Sequence, residues 1–205
     1  GIRDRARAVA DDPAVPRARR DLARAMVIAA EAVREFAARY AAEASRLAAG
    51  ERNSVRRAEL ARIAEICAKV PWEPAGTFYE AVQALWTTHM LVLAAESYPG
   101  PGVSPGRIDQ YLRPFYEADL AAGRITRARA KELLSCLFIK HNYAYDYQGW
   151  AGTNQGINAS FGQLITLGGI DADANDASSD LTFLILKIVE ELNLLEPKPN
   201  IRLHN

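Results

Sequence analysis

The stretch SPGRIDQYLRPFY, Ser104 to Tyr116, joins a turn to a helix. Pro105 and Gly106 are turn residues, and helix resumes near Ile108 with Asp109 in its first turn. Two readings of the junction follow. Ser104 or Asp109 satisfies free N–H groups at the helix start. Alternatively, the helix N-terminus and Arg107 are aimed at a carboxylate. Upstream lies FYEAVQALWTTHMLVLAAE, Phe78 to Glu96, opened by Thr77 and Glu80 in a capping-box spacing. It is apolar on nearly all sides, which predicts a helix enclosed by other elements. Downstream lie GQLITLGG, Gly162 to Gly169, and PKPNIRLHN, Pro197 to Asn205. Leu164, Ile165 and Leu167 make a short β-like run bounded by glycines, and NIRLH reads as a second strand.

Working outward, residues 1–20 are Arg-rich and Pro-interrupted, a short helix or loop. Asp21 opens a long helix whose apolar stripe is Leu22, Met26, Ala29, Val33, Phe36, Tyr40, Ala44 and Leu47, ended by Gly50. A second helix covers about 52–69, with Leu60, Ile63 and Cys67 inward, and Pro71 and Pro74 break it. The helix from Ile108 bends or breaks at Pro114, and Gly123 ends it. Thr126 caps the next, which reaches about Tyr145 with Leu133, Leu134, Leu137 and Phe138 inside. Residues 146–161, DYQGWAGTNQGINASF, lose periodicity and read as a long functional loop. Ser178 or Asp180 caps a last helix to about Leu194. The whole is a helix-rich α/β chain with two late strands and no boundary before 146.

Composition excludes several classes. Lys+Arg and Asp+Glu each number 25 in 205 residues, so there is no basic excess for nucleic acid or an anionic membrane. The longest apolar run, Ala84 to Ala95, is too short to cross a bilayer. With 49% hydrophobic residues the chain is globular rather than disordered. Cys67 and Cys136 sit in helical patterns and read as buried free thiols, a disulfide or catalytic thiol being the alternative. The start has no secretory h-region, which points to the cytoplasm. The chain opens without Met and stops after a strand-like segment, the pattern of a piece of a longer protein.

Chemical motifs are few. His89, His141 and His204 lack partners at metal-ligand spacing, so no metal site is expected. His89 reads as a satisfied core histidine. Asp171, Asp173 and Asn175 have calcium-loop spacing, but Asp176 stands at the required Gly and Thr182 at the bidentate Glu, leaving a polar turn.

Six segments in order resemble the glycyl radical enzymes, the pyruvate formate-lyase-like family. Phe78 to Gln83 is similar to its F-W/Y-E-A-x-Q helix start, and Ser104 to Tyr116 to its S-x-G-R-x-D-Q-Y-x-x-P-x-Y segment. Glu132 to Lys140 resembles the following helix. Gln163 to Gly169 is similar to its first barrel strand, Q-N-x-T-x-G-G, with Leu164 where Asn is common. Asp176 to Leu181 and Pro197 to His204 resemble D-A-x-N-x-L and Q-P-N-x-x-x-R-x-H.

The resemblance implies a single domain: an N-terminal helical layer, 1–145, then a loop and the first strands, 146–205, of a ten-stranded α/β barrel. It implies a lyase of dehydratase or decarboxylase type, with a formate C-acetyltransferase-like reaction also within the family. Such an enzyme acts on a small organic substrate. A radical-SAM activating enzyme installs a glycyl radical, which generates a thiyl that abstracts hydrogen. The family's Cys loop and Gly loop fall outside these 205 residues, so no catalytic residue is assigned, and neither Cys67 nor Cys136 takes that role. Ser104 and Gln163 carry over as substrate-binding candidates. Arg107, Asp109 and Tyr111 carry over as a structural motif, with Arg107 and Asp109 expected to form a salt bridge. A homodimer is the family habit. The alternative is a truncated, non-catalytic helical scaffold or interaction module.

Overall fold

The computed structural model describes residues 1–95, 103–151 and 163–203, and of 144–151 the backbone alone. These residues form two compact units, 1–74 and 75–205. The division falls at Pro74, well ahead of the change in composition at 146.

The first unit holds three helices, α1 (Ile2–Asp11), α2 (Arg17–Gly50) and α3 (Ser54–Lys69). The long α2 packs on both others. Its buried residues are Ala23, Ala37, Ala41, Ala44 and Ala48, whereas Leu22, Met26, Tyr40 and Leu47 are exposed. Ala44 is buried as expected, and elsewhere on α2 the buried row stands one residue along from the expected stripe, roughly 100° round the helix. Small side chains let helix axes approach closely, so the alanine row makes the seam and the larger residues line its outer margin. Asn53 caps α3, accepting from the N–H groups of Val55 and Arg56. Trp72 lies beneath two guanidinium groups, Arg3 at 5.1 Å and Arg34 at 4.7 Å from the ring centre.

The second unit runs α4 (Phe78–Ala95), α5 (Ile108–Ala121), α6 (Arg127–Ala151), β1 (Leu164–Gly168), α7 (Asp180–Leu192) and β2 (Lys198–Arg202). The strands pair in parallel, from Leu164 opposite Lys198 to Gly168 opposite Arg202, with α7 in the crossover. The other edge of β1 meets the turn before α5: Gly106 bridges to Ile165, and the Thr166 N–H donates to the Gly106 carbonyl at 2.8 Å. Ile165 and Leu167 enter a core with Phe78, Ile108, Leu112, Tyr116, Leu134, Phe138 and the α7 residues Leu181, Leu184, Ile185 and Ile188. Each such side chain contributes about 1.5–3 kcal/mol on burial. Leu164, pointing the other way by strand alternation, is exposed.

Several boundaries differ from expectation. Pro114 lies inside α5 and does not end it. At the seventh helical position the proline leaves the carbonyl of Gln110 without its usual N–H, a local loss the buried face of α5 outweighs. Helix α6 continues through Ala151, beyond the expected end at Tyr145, so the first part of the anticipated loop is helical. The rest of it, 152–161, lies outside the described residues, as does His204. Helix α7 is capped by Ser179, between the two expected residues, through a reciprocal Ser179–Thr182 capping box. Residues 171–175 form the expected polar turn, with Asp171 accepting from the N–H groups of Asp173 and Asn175, both at 2.9 Å. Among the described residues no helix is long and apolar enough to cross a membrane.

Candidate functional site

The SPGR-x-D segment is organised around one peptide unit of β1. Arg107 donates from Nη2 to the Gly168 carbonyl at 2.8 Å. The Gly168 N–H donates to Asp109 Oδ2, also at 2.8 Å, and the same oxygen accepts the Thr182 hydroxyl at 2.7 Å. Arg107 and Asp109 thus do not pair with each other as expected; each holds one polar group of Gly168. Neither Ser104 nor Asp109 caps α5, whose N-cap is Arg107 with no side-chain bond. Asp109 is fully buried and spends its charge on a neighbouring strand and helix. Gly168 has φ +68°, and a Cβ there would stand 3.0 Å from the Arg202 carbonyl oxygen and 3.1 Å from Ser178 Oγ. Only glycine fits that approach and that backbone region together. Gln110 donates to the Ala177 carbonyl at 2.8 Å, and the Tyr111 hydroxyl donates to the Pro105 carbonyl at 3.0 Å, closing the turn.

Gln163, immediately before β1, is the second centre. Its amide oxygen accepts from His89 Nε2 at 2.7 Å and His141 Nδ1 at 2.8 Å. Its amide nitrogen donates to the His141 carbonyl at 2.8 Å, and its backbone N–H donates to Glu196 Oε2 at 2.9 Å. Gln163, His141 and Glu196 are fully buried, and His89 nearly so. Because an amide oxygen can only accept, both imidazoles donate to it. Their ring centres are 4.4 Å apart, and neither carries charge readily. Burial holds His89 below the ordinary imidazole range. Burial and the neighbouring ring push His141 down to about 4. Burial also raises the Glu196 carboxyl. The cluster is a buried, hydrogen-bonded wedge between α4, α6 and the strand pair, with Lys198 3.5 Å from Glu196 Oε1 at its edge. It agrees with the reading of His89 as a satisfied core histidine.

The two substrate-binding candidates are therefore placed differently. Ser104 is exposed on the turn beside β1, and its hydroxyl makes no hydrogen bond among the described residues. Gln163 is buried, with both lone pairs of its oxygen used by histidines. Arg107 also borders a pocket of about 410 Å³ at the carboxyl ends of the strands, with Thr166, Gly168, Gly169, Ile170, Arg202 and Leu203. Cys67 is buried as expected, but Cys136 is exposed, facing away from Leu133, Leu134, Leu137 and Phe138 on α6. Among the described residues no three His, Cys, Asp or Glu side chains could hold a metal together.

Sequence reasoning missed His141, Glu196 and Thr182. The available signal was a Gln directly before the first strand and a Glu two residues before the second. Such polar residues at strand starts require partners.

Residues 3–205 match the family model described as pyruvate formate lyase-like. The chain is 42% identical over 198 residues to an isethionate sulfite-lyase of Oleidesulfovibrio alaskensis, covering 95% of this chain and 24% of that protein. It is 34% identical over 181 residues to a trans-4-hydroxy-L-proline dehydratase of Clostridioides difficile, covering 87% of this chain and 23% of the relative. Its structure superposes with a TM-score of 0.86 on the glycerol-bound B12-independent glycerol dehydratase from Clostridium butyricum, at 29% identity, over 99% of this chain and 26% of that one. The chain thus spans about a quarter of the length of the relatives it matches. Its segment order, its Gly168 clamp and the match along almost its entire length lead to one assignment: the chain belongs to the pyruvate formate lyase-like family.

Proposed function

We propose that the protein carrying this chain is a glycyl radical lyase of the dehydratase or decarboxylase group. It would act on a small organic substrate by hydrogen abstraction through a thiyl radical. A radical-SAM activating enzyme would be its partner and the cytoplasm its compartment. The observation that carries the reading is the match across residues 3–205 to relatives that are themselves lyases, including the sulfite-lyase and the dehydratase above. The reacting groups would come from outside these residues. What this chain supplies is a wall: β1, fixed against the helices by the Gly168 clamp and the Gln163 cluster, with the Ser104 turn along its edge. Such preorganisation is what a reaction kept from water and oxygen requires of the protein.

Within that wall we assign Ser104 to substrate, since it is exposed and its hydroxyl is uncommitted among the described residues. Gln163 would act through the strand it anchors, because its own amide oxygen is fully used.

The test is anaerobic expression of the open reading frame carrying this sequence, together with an activating enzyme. Electron paramagnetic resonance would look for a glycyl radical, and product assays would use isethionate, hydroxyproline and small diols. A radical signal with turnover of one of these is expected, with Ser104→Ala raising KM or lowering kcat. Absence of any radical after activation would contradict the assignment.

A further inference from the structure

We propose that Arg107 and Arg202 form a binding site for a small oxyanion, a carboxylate or a sulfonate, in the pocket at the carboxyl ends of β1 and β2. The site stands on its own geometry and does not depend on radical chemistry elsewhere. The two arginines approach from different elements, Arg107 from the N-cap of α5 and Arg202 from the end of β2, and both line the 410 Å³ pocket. Gly169 makes their convergence possible. Its φ is +84°, and a Cβ there would lie 3.0 Å from Arg202 Cβ and 3.7 Å from Arg107 Nη2. The bare backbone at this position therefore leaves room for the Arg107 guanidinium and the stem of Arg202 side by side on the pocket wall.

The donors are largely uncommitted. Among the described residues the Arg202 side chain has no ion pair or hydrogen bond, unlike Arg24, Arg46, Arg56 and Arg62, which each pair with a carboxylate close in sequence. Arg107 spends one N–H on the Gly168 carbonyl and keeps the rest of its fork. The nearby acid, Asp171, directs its oxygens to the N–H groups of Asp173 and Asn175 and to the Asn175 amide. Its charge offsets the arginines only in part. Two planar cations at one rim suit a planar carboxylate or a tetrahedral sulfonate, each able to accept paired N–H donors. Thr166 also lines the wall. The position is also where ligands of parallel α/β sheets collect, beyond the carboxyl ends of the strands.

The experiment is a nitrogen-edited NMR titration of this chain with acetate and with methanesulfonate at constant ionic strength, glycerol serving as the neutral control. Saturable shifts are expected at Gly168, Gly169, Ile170 and Arg202 with either anion and not with glycerol. Arg202→Gln should weaken binding at least roughly tenfold, and Arg202→Lys should fall between, because the ammonium lacks the fork. The melting temperature of Arg202→Gln should match the parent, since the guanidinium holds no other group among the described residues. Linear, unsaturating shifts would overturn the proposal. So would saturable shifts unchanged in Arg202→Gln, or glycerol binding as tightly as the anions.

Discussion

The two units of this chain are held by different means. In residues 1–74, alanine rows on α2 pack against α1 and α3, and the charged residues pair locally, as in Arg24–Asp21, Arg56–Glu59 and Arg62–Glu65, three residues apart on exposed helix faces. In residues 75–205, buried polar side chains reach across the chain to backbone groups. Asp109 binds the Gly168 N–H, Asp119 binds the Phe78 N–H at 2.8 Å, and Glu196 binds the Gln163 N–H. Local pairing on a wet surface adds little, while a buried polar group left without its partner costs about 1–3 kcal/mol. The first unit should therefore tolerate loss of its charged pairs and resent changes of volume, and the second should be the more sensitive to loss of a buried polar side chain.

The largest effect is expected from Asp109→Ala. It orphans the Gly168 N–H and the Thr182 hydroxyl together, a loss on the order of 4 kcal/mol. In the full chain, denaturation followed by amide exchange should show residues 75–205 weakened and 1–74 unchanged. Equal weakening of both would erase the contrast.

Acid should act next, through the buried histidine of the second unit. His141 titrates at about 4 in the fold, below the 6.5 of a free imidazole. The unfolded chain therefore binds the extra proton between those values. Stability from this group is complete above about pH 6.5 and is lost as pH falls toward 4, on the order of 3 kcal/mol in total. Glu196 has the opposite sign: its raised carboxyl favours the protonated form, stabilising at low pH and losing that contribution as pH rises through its folded value. A net acid-side fall that shrinks in His141→Gln is expected from melts across this range, whereas an identical slope in that variant would assign the effect elsewhere.

Gly168→Ala forces a Cβ to 3.0 Å from a backbone oxygen at positive φ, for about 2 kcal/mol. In the first unit the comparable injury is overpacking. Ala41→Leu, on the buried row of α2, should cost about 1–2 kcal/mol by urea titration. Arg62→Ala, which removes an exposed pair, should stay within about 0.5 kcal/mol of the parent.

The same contrast decides what could be read from the chain. Helices α2, α3 and α7 and both strands follow local periodicity and caps, and each is present near its expected position. The face of α2 was misread by one residue because hydrophobic size drew attention to Leu22, Phe36, Tyr40 and Leu47, while packing distance selected the adjacent alanines. Pro114 does not end α5, because the packing of its buried face overrides a local helix breaker, and the backbone of 146–151 continues α6 although its composition reads as a loop. The order of the segments Phe78–Gln83, Ser104–Tyr116 and Gln163–Gly169 was enough to name the family. The reason for the Arg-x-Asp pattern was not legible, since its partner Gly168 lies 59 residues beyond Asp109. A motif that resembled a salt bridge or a helix cap turned out to grip a distant strand. Gln163 was visible as a strand start, but its commitment to His89 and His141 depends on contacts 74 and 22 residues away.

The most direct test of this account is the exchange rate of the Gly168 amide in the full chain, in the parent and in Asp109→Asn. A buried N–H held by a carboxylate should exchange only with the opening of the whole second unit, as slowly as the Leu167 amide in the adjoining core. In Asp109→Asn, where a neutral oxygen replaces the carboxylate, protection should fall while amides in residues 1–74 keep theirs. Exchange near the free-chain rate in the parent, or protection unaltered by Asp109→Asn, would contradict the claim that this segment exists to clamp Gly168.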